Sequence, residues 1–147
     1  MERNGVLATM SRLTLTPQQE ALIRASFEAF RPMSHETSML FYGRLFALDP
    51  SLRAMFPKDL REQAKKLADT LDVCVQNLER LPELRPQLRA LGKRHLDYGA
   101  RPEHYALVTQ ALLWSLGQAL EQGFDAPTKA AWSALLASVC AEMQQPA

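Results

Sequence analysis

The sequence lacks the features that mark several large classes of protein. Only two of its 147 residues are cysteines, too few for a disulfide-stapled scaffold. No apolar run is long enough to cross a membrane, and the stretch from Val6 to Ala8 is too short for the core of a signal peptide. β-Branched residues are scarce and never alternate over the length of a strand. We therefore predict a reduced, cytoplasmic, all-α protein.

The chain also lacks an excess of charge of either sign. Lys and Arg number 17 against 16 Asp and Glu, and this net charge of +1 gives no general attraction to nucleic acid or to anionic membranes. No glycine-rich phosphate fingerprint is present, so reduction by a bound nicotinamide cofactor is not expected. A single domain of this length buries roughly 68–70% of its unfolded surface, which is enough to enclose one ligand.

Proline, glycine and capping residues divide the chain into an extension and one domain. Residues 1–15 lack periodicity and are predicted to be a flexible N-terminal extension, with the domain over residues 16–147. Thr16-Pro17-Gln18-Gln19 has the composition of a capping box and opens the first of about seven helices. The second is predicted from about Ser34 to Leu48, and a short third helix ends where Phe56 meets Pro57.

The later helices are predicted from their apolar stripes and from the residues that interrupt them. A long stripe runs from Leu60 to Leu78, and the next helix is entered between Pro82 and Pro86 and closed by Gly99. Two long helices follow, over about 102–121 and 126–143. The connections are short, which indicates one compact helical domain.

One of the three histidines stands out by its position. His95 completes an apolar line formed by Leu84, Leu88 and Leu91, and that spacing predicts an imidazole that points inward. Two interpretations remain open: a core histidine whose ring nitrogens bond the backbone, or an axial ligand of haem iron. No second histidine, cysteine or carboxylate cluster stands at zinc-ligand spacing nearby, so a metal here would need a cofactor that brings its own ligands.

A binding site for a porphyrin needs apolar walls, and cations at its entrance to pair with the carboxylates of the cofactor. Apolar candidates for the walls are Phe46, Phe56, Leu67, Leu71, Leu91, Tyr105 and Val108, although plain core is the alternative for each. Basic candidates for the cofactor's carboxylates are Arg53, Lys58, Arg61, Lys65 and Lys66, for which a solvated basic face is the alternative. His35 and His104 follow helix starts and are predicted to be solvated or capping.

An ordered set of short segments resembles the globin family over roughly residues 15–143. The segments are Leu40–Pro50, Phe56 six residues later, Leu91–His95, His104-Tyr105, Gly123-Phe124 and Ala130–Trp132. The set is similar to bacterial single-domain globins, to the haem domain of flavohaemoglobins and to neuroglobin. The resemblance implies a globin fold around haem b, with His95 as the proximal iron ligand.

The same resemblance assigns the rest of the pocket. It places Gln63 at the distal position with Tyr42 facing it, where a phenol O–H and an amide N–H can donate to a dioxygen ligand. Phe56, Leu67, Leu91, Tyr105 and Lys66 are the other residues that it implies beside the cofactor. The alternatives are an exposed helix residue for Gln63 and an ordinary core tyrosine for Tyr42.

The function implied is reversible binding of dioxygen, nitric oxide and carbon monoxide, for oxygen transport or nitric oxide detoxification. Two alternatives are a nitric oxide dioxygenase served by a separate reductase and a haem-free sensor or interaction globin. In flavohaemoglobins a glutamate on the last helix belongs to the hydrogen-bonded set of the proximal histidine, and its place here is taken by about Ala147. The missing carboxylate speaks against peroxidase-like bond cleavage. Tyr42 is a further candidate ligand of ferric iron.

Overall fold

The computed structural model describes residues 15–146, and all regular structure within that range is helical. The six α-helices are α1 (Pro17–Phe30), α2 (Ser34–Leu48), α3 (Arg61–Gln76), α4 (Arg85–Asp97), α5 (Pro102–Leu120) and α6 (Ala126–Met143). Four 3₁₀-helices connect them, over Arg31–Met33, Pro50–Met55, Leu78–Leu84 and Glu121–Gly123. The all-α prediction is confirmed, and the predicted short third helix is the 3₁₀-helix Pro50–Met55.

The helix boundaries follow the local signals in the sequence. The predicted capping box is formed, because Thr16 Oγ1 accepts from the Gln19 N–H at 3.1 Å and the Gln19 side chain accepts from the Thr16 N–H at 3.0 Å. Gly99, with φ +101°, follows the end of α4, where residues without a side chain are favoured. Residues 1–14 of the predicted extension lie outside the described range, and Leu15 is buried in the core.

The core joins α1 to α6 and α2 to α5. Trp132 of α6 is fully buried, lies 6.3 Å from the Phe27 ring of α1, and donates its indole N–H to Ser26 Oγ at 2.8 Å. Ser26 in turn donates to main-chain carbonyls of its own helix. The buried indole is therefore both packed and hydrogen-bonded, which fixes α6 against α1.

Helices α3 and α4 are held by different parts of this core. The extended contacts of α3 are with α2, whereas those of α4 are with α6 and with the 3₁₀-helix Leu78–Leu84 that leads into it. Leu78, Leu81 and Leu84 of that 3₁₀-helix are all buried, which anchors the entry to α4. The two helices consequently flank a cleft instead of packing on each other.

Two further findings concern the length of the helices and the state of the two cysteines. Within the described range, no helix has both the length and the apolar composition required to span a membrane. Cys74 and Cys140 are both free thiols, and burial raises the pKa of Cys74 to about 11. Cys74 is buried and Cys140 is partly buried, so both pack as small apolar side chains.

Candidate functional site

The cleft between α3 and α4 has a volume of about 220 Å³. Its lining comes from Asp69, Thr70, Val73 and Cys74 of α3, from Leu84, and from Gln87, Leu88, Leu91 and Arg94 of α4. Cys74 and Leu88 are buried, while Asp69 and Arg94 are exposed. The cleft therefore has an apolar interior and charged residues at its edge, the general character of a site for a flat apolar ligand with polar substituents.

His95 lies in the last turn of α4, one turn beyond Leu91, and is not among the residues that line this cleft. Leu84 and Leu88 are buried and Leu91 is half-buried, as the apolar line predicts, but the His95 side chain is exposed. The expectation that the imidazole points into a closed interior is therefore wrong for this structure. The reason is that α4 packs on α6 with another face. Leu84, Leu88 and Leu91 border the open cleft, and His95 lies one turn beyond its lining.

One ring nitrogen of His95 is already engaged. Its Nδ1 lies 2.8 Å from the main-chain oxygen of Leu91. Because a carbonyl can only accept, the proton resides on Nδ1 in this contact, and the neutral ring then carries a free lone pair on Nε2. This arrangement fixes both the tautomer and the orientation of the imidazole, as the outer partner of a metal-bound histidine does.

The main chain of His95 is also held in place. Its carbonyl oxygen accepts from the N–H groups of Tyr98 at 3.1 Å and Ala100 at 2.9 Å, across the turn at Gly99. A Cβ at Gly99 would lie 3.7 Å from the terminal methyl of Met55, next in sequence to Phe56. The end of α4 is thus capped and lies close to the segment that precedes the aromatic cluster described next.

An aromatic cluster forms where α2 meets the segment that precedes α3. The Tyr42 ring packs edge-on against Phe41 at 4.8 Å and against Phe56 at 5.5 Å, and Phe46 stands 5.4 Å from Phe56. These are the spacings at which aromatic pairs attract most strongly. The structure therefore brings together three residues that the sequence pattern placed near the cofactor: Tyr42, Phe46 and Phe56.

Tyr42 contacts Gln63 through the main chain of Gln63 and not through its side chain. The Tyr42 hydroxyl donates to the Gln63 carbonyl oxygen at 3.2 Å, and the Gln63 side chain is half-buried with no hydrogen bond to the described part of the chain. Burial raises the pKa of Tyr42 to about 12, so the phenol is neutral near pH 7 and remains a donor. The interpretation of Tyr42 as a core tyrosine with its own acceptor thus describes the observed contact.

The burial of Tyr42 predicts a pH dependence of stability. Its pKa is raised on folding from an ordinary value near 10, so the stabilisation is complete below that value and is lost as pH rises towards 12. We expect wild type to lose about 1.4 kcal/mol relative to Tyr42→Phe between pH 9 and pH 11, because one pKa unit corresponds to that free energy. Urea denaturation of both proteins at the two pH values measures it, and parallel curves would contradict the assignment.

The remaining predicted site residues are distributed around the cleft and the core. Leu67 is half-buried and borders a small internal cavity together with Leu71, while Leu91 lines the cleft. Tyr105 on α5 is half-buried, and its pKa is raised by burial and by the nearby Cys140 thiol. Lys66 is exposed on α3. None of these positions alone assigns a role in binding.

Three of the basic candidates near α3 have partners in the chain itself. Arg53 donates to the main-chain oxygens of Phe56, Pro57 and Lys58 and lies over the Phe46 ring. Arg61 pairs with Asp59, and Lys65 lies 3.8 Å from Asp69. Arg53 therefore organises the turn before α3, and its contact with a cofactor carboxylate stays a prediction.

The residues that attach α4 to the core are not predicted by the sequence pattern. Gly92 lies so close to α6 that a Cβ there would overlap the Met143 main chain and stand 2.8 Å from its Cα. Glu142 is buried and accepts from Arg89 Nε at 2.5 Å, with Arg85 Nε at 3.8 Å. A glycine within a helical pattern is a recognisable signal of close packing. The ion pairs join residues more than 50 positions apart and have no local signal.

Comparison with known proteins agrees with this architecture. The family model Globin matches residues 40–143. Neuroglobin of Dissostichus mawsoni is 30% identical over 145 residues, covering 89% of this chain and 91% of that protein. Neuroglobin-1 of Oncorhynchus mykiss is 28% identical over the same shares. A bacterial globin from Campylobacter jejuni superposes with a TM-score of 0.77 at 23% identity, covering 87% of this chain and 93% of that one. Because the family model spans more than half of the sequence, the chain belongs to the globin family.

Proposed function

We propose that this globin binds haem b through His95 and holds a diatomic gas, dioxygen foremost, on the side of Tyr42 and Gln63. The observation that carries the proposal is the state of the His95 imidazole. Its Nδ1 proton is committed to the Leu91 carbonyl, which leaves Nε2 available one helical turn beyond Leu91, the last residue of its helix line in the lining of the apolar cleft. A neutral imidazole with one free nitrogen is the axial donor that haem iron accepts.

The surroundings of His95 fit such a cofactor. The cleft offers apolar walls from α3 and α4. Phe46, Phe56 and Tyr42 form an aromatic cluster that begins next to Met55, which lies close to the turn at the end of α4. At about 220 Å³ the cleft is smaller than the 300–1,000 Å³ usual for ligand pockets, so we expect α3 and α4 to separate when the porphyrin enters. When bound, haem supplies an iron centre that takes up diatomic gases reversibly.

The proximal side favours binding over bond cleavage. The His95 Nδ1 proton goes to a neutral carbonyl, and the buried acid Glu142 is engaged by Arg89. A carbonyl polarises the imidazole less than a carboxylate does, so the donor nitrogen has less imidazolate character. This supports a role in storing or carrying dioxygen, with nitric oxide dioxygenation as a turnover that needs an external reductase.

On the distal side, Tyr42 is expected to exchange its present acceptor for the gas. Its hydroxyl has a single proton, now given to the Gln63 carbonyl over 3.2 Å, and a modest rotation about the C–O bond redirects that proton. The half-buried Gln63 amide is a second donor at the same helix turn. Donors placed there would favour a gas that takes on partial negative charge, such as dioxygen, over carbon monoxide.

The test combines cofactor titration with gas kinetics. Haemin added to the full chain should be taken up one to one, and the dithionite-reduced protein should bind carbon monoxide and dioxygen. Tyr42→Phe should then speed dioxygen dissociation about tenfold, the effect of one hydrogen bond of about 1.4 kcal/mol, with a smaller change for carbon monoxide. Gln63→Leu is the second variant of the pair. No uptake of haemin would refute the proposal. Equal changes in the dissociation rates of dioxygen and carbon monoxide would refute the role of Tyr42 and Gln63 as donors to the gas.

A further inference from the structure

Helix α4, which carries His95, packs on only one other α-helix in the described part of the chain to any large extent. In the described part of the chain its extended contacts are with α6 and with the 3₁₀-helix that leads into it, and not with α3 or α5. The cleft occupies the space on its other side. Whatever fixes α4 on α6 therefore also fixes the direction in which the cleft-facing side chains of α4 point.

The contact between α4 and α6 contains an unusual buried charge. Glu142 is the one acidic or basic residue of the described range that is buried, with its side chain 11% exposed. Its Oε1 accepts from Arg89 Nε at 2.5 Å and lies 3.8 Å from Arg85 Nε. Taking a carboxylate out of water is unfavourable unless it is paired, so α4 must present these arginines to α6.

The spacing of these residues defines a face of the helix. Arg85, Arg89 and Gly92 are separated by four and three positions, so they lie on one side of α4, against α6. Leu84, Leu88 and Leu91 each precede a member of that set by one position and line the cleft on the neighbouring side. His95 continues their spacing by one more turn. The two sides differ by about 100°, the rotation per residue in an α-helix. A rotation of α4 that moves the arginines away from α6 therefore also changes the direction of the cleft-lining side chains.

We propose that Glu142 is a positioning residue, which sets the rotation of α4 through Arg89 and Arg85 and thereby the direction of the His95 imidazole, one turn beyond the cleft lining. The effect on iron ligation rests on the proposed function. The effect of Glu142 on the orientation of α4 is independent of haem, because it depends on the polypeptide alone. Gly92 permits the approach, since its missing side chain leaves room for the Met143 main chain, while Glu142 selects the rotation. A buried charge that specifies geometry more than it adds stability is a known use of such pairs.

The first measurement is amide hydrogen exchange of the haem-free full chain. Glu142→Gln, which removes the charge and keeps the size, should speed exchange in α4 at least about tenfold and leave α1 and α2 much less affected. Arg89→Lys keeps the charge and should have a smaller effect in the same helix. The matched control is Glu28→Gln, which removes a 3.1 Å pair with Arg31 on the surface of α1 and should leave α4 unchanged.

The second measurement is spectroscopic and uses the haem-loaded, reduced protein. The iron–histidine stretching band in Glu142→Gln should shift or broaden, with recovery towards wild type in Glu142→Asp, which restores the charge on a shorter side chain. If wild type takes up no haem, the proposed function fails while hydrogen exchange still decides whether Glu142 fixes α4. Exchange that rises equally in all helices, or an unchanged band in a protein that does bind haem, overturns the positioning role.

Discussion

His95→Gly is expected to lower the affinity of the protein for haem by more than about 100-fold and to abolish the ordinary spectrum of its reduced form. Losing only an outer partner of a metal ligand already weakens binding about 10–100-fold, and this variant removes the proposed ligand itself. The His95 ring is exposed and contacts the Leu91 carbonyl of its own helix, so its removal opens no cavity in the core. The change should therefore affect the cofactor far more than the fold.

The variant allows a direct chemical test of this assignment. Imidazole added to His95→Gly can occupy the space of the missing ring, and it should restore a five-coordinate reduced spectrum and carbon monoxide binding in proportion to its concentration. Absorption spectra during a haemin titration measure both effects, and far-UV circular dichroism confirms that the helices are retained. His35→Gly is the matched control, because His35 is exposed at the start of α2, far along the chain from the cleft helices. An unchanged affinity in His95→Gly would assign the iron to another ligand.

The helices of this protein are predictable because their limits are encoded locally. The capping box at Thr16, the bounds of α2 and the glycine that follows α4 depend on residues within a few positions of one another. The segment from Leu78 to Leu84 was harder to anticipate, because the apolar stripe of α3 continues into it. The structure instead ends α3 at Gln76 and forms a 3₁₀-helix that contains Pro82. Proline cannot donate to a regular α-helix, which favours the tighter turn.

The candidate site is only partly predictable for a different reason. The apolar line of α4 correctly identifies the side that faces the cleft, yet periodicity does not reveal that α4 and α3 remain apart, so it overstates the burial of His95. Similarly, the sequence places Tyr42 near Gln63 by resemblance but does not indicate that the hydroxyl bonds the main chain. The pairs that matter here join residues far apart in sequence, and only packing in three dimensions decides between their alternative partners.

Gly92→Ala is expected to destabilise the protein by about 3 kcal/mol, although a single methyl group is added. Overpacking of this kind commonly costs about 1–3 kcal/mol, and the upper end applies because the added carbon meets the main chain of Met143. A main-chain carbonyl cannot rotate aside as a flexible side chain can. Helix α4 must therefore move away from α6, which also weakens the contact between Arg89 and Glu142.

Gly43→Ala separates this steric effect from the ordinary helix preference of alanine. Gly43 lies within α2, and a Cβ at that position would have nothing within 4 Å. The same substitution should therefore stabilise the protein there by about 0.5–1 kcal/mol, because glycine is less favourable than alanine inside a helix. Urea denaturation should give midpoints shifted in opposite directions at similar slopes. If Gly92→Ala is as stable as Gly43→Ala, α4 is not closely packed on α6, and the attachment of the His95 helix must then be sought in the 3₁₀-helix that precedes it.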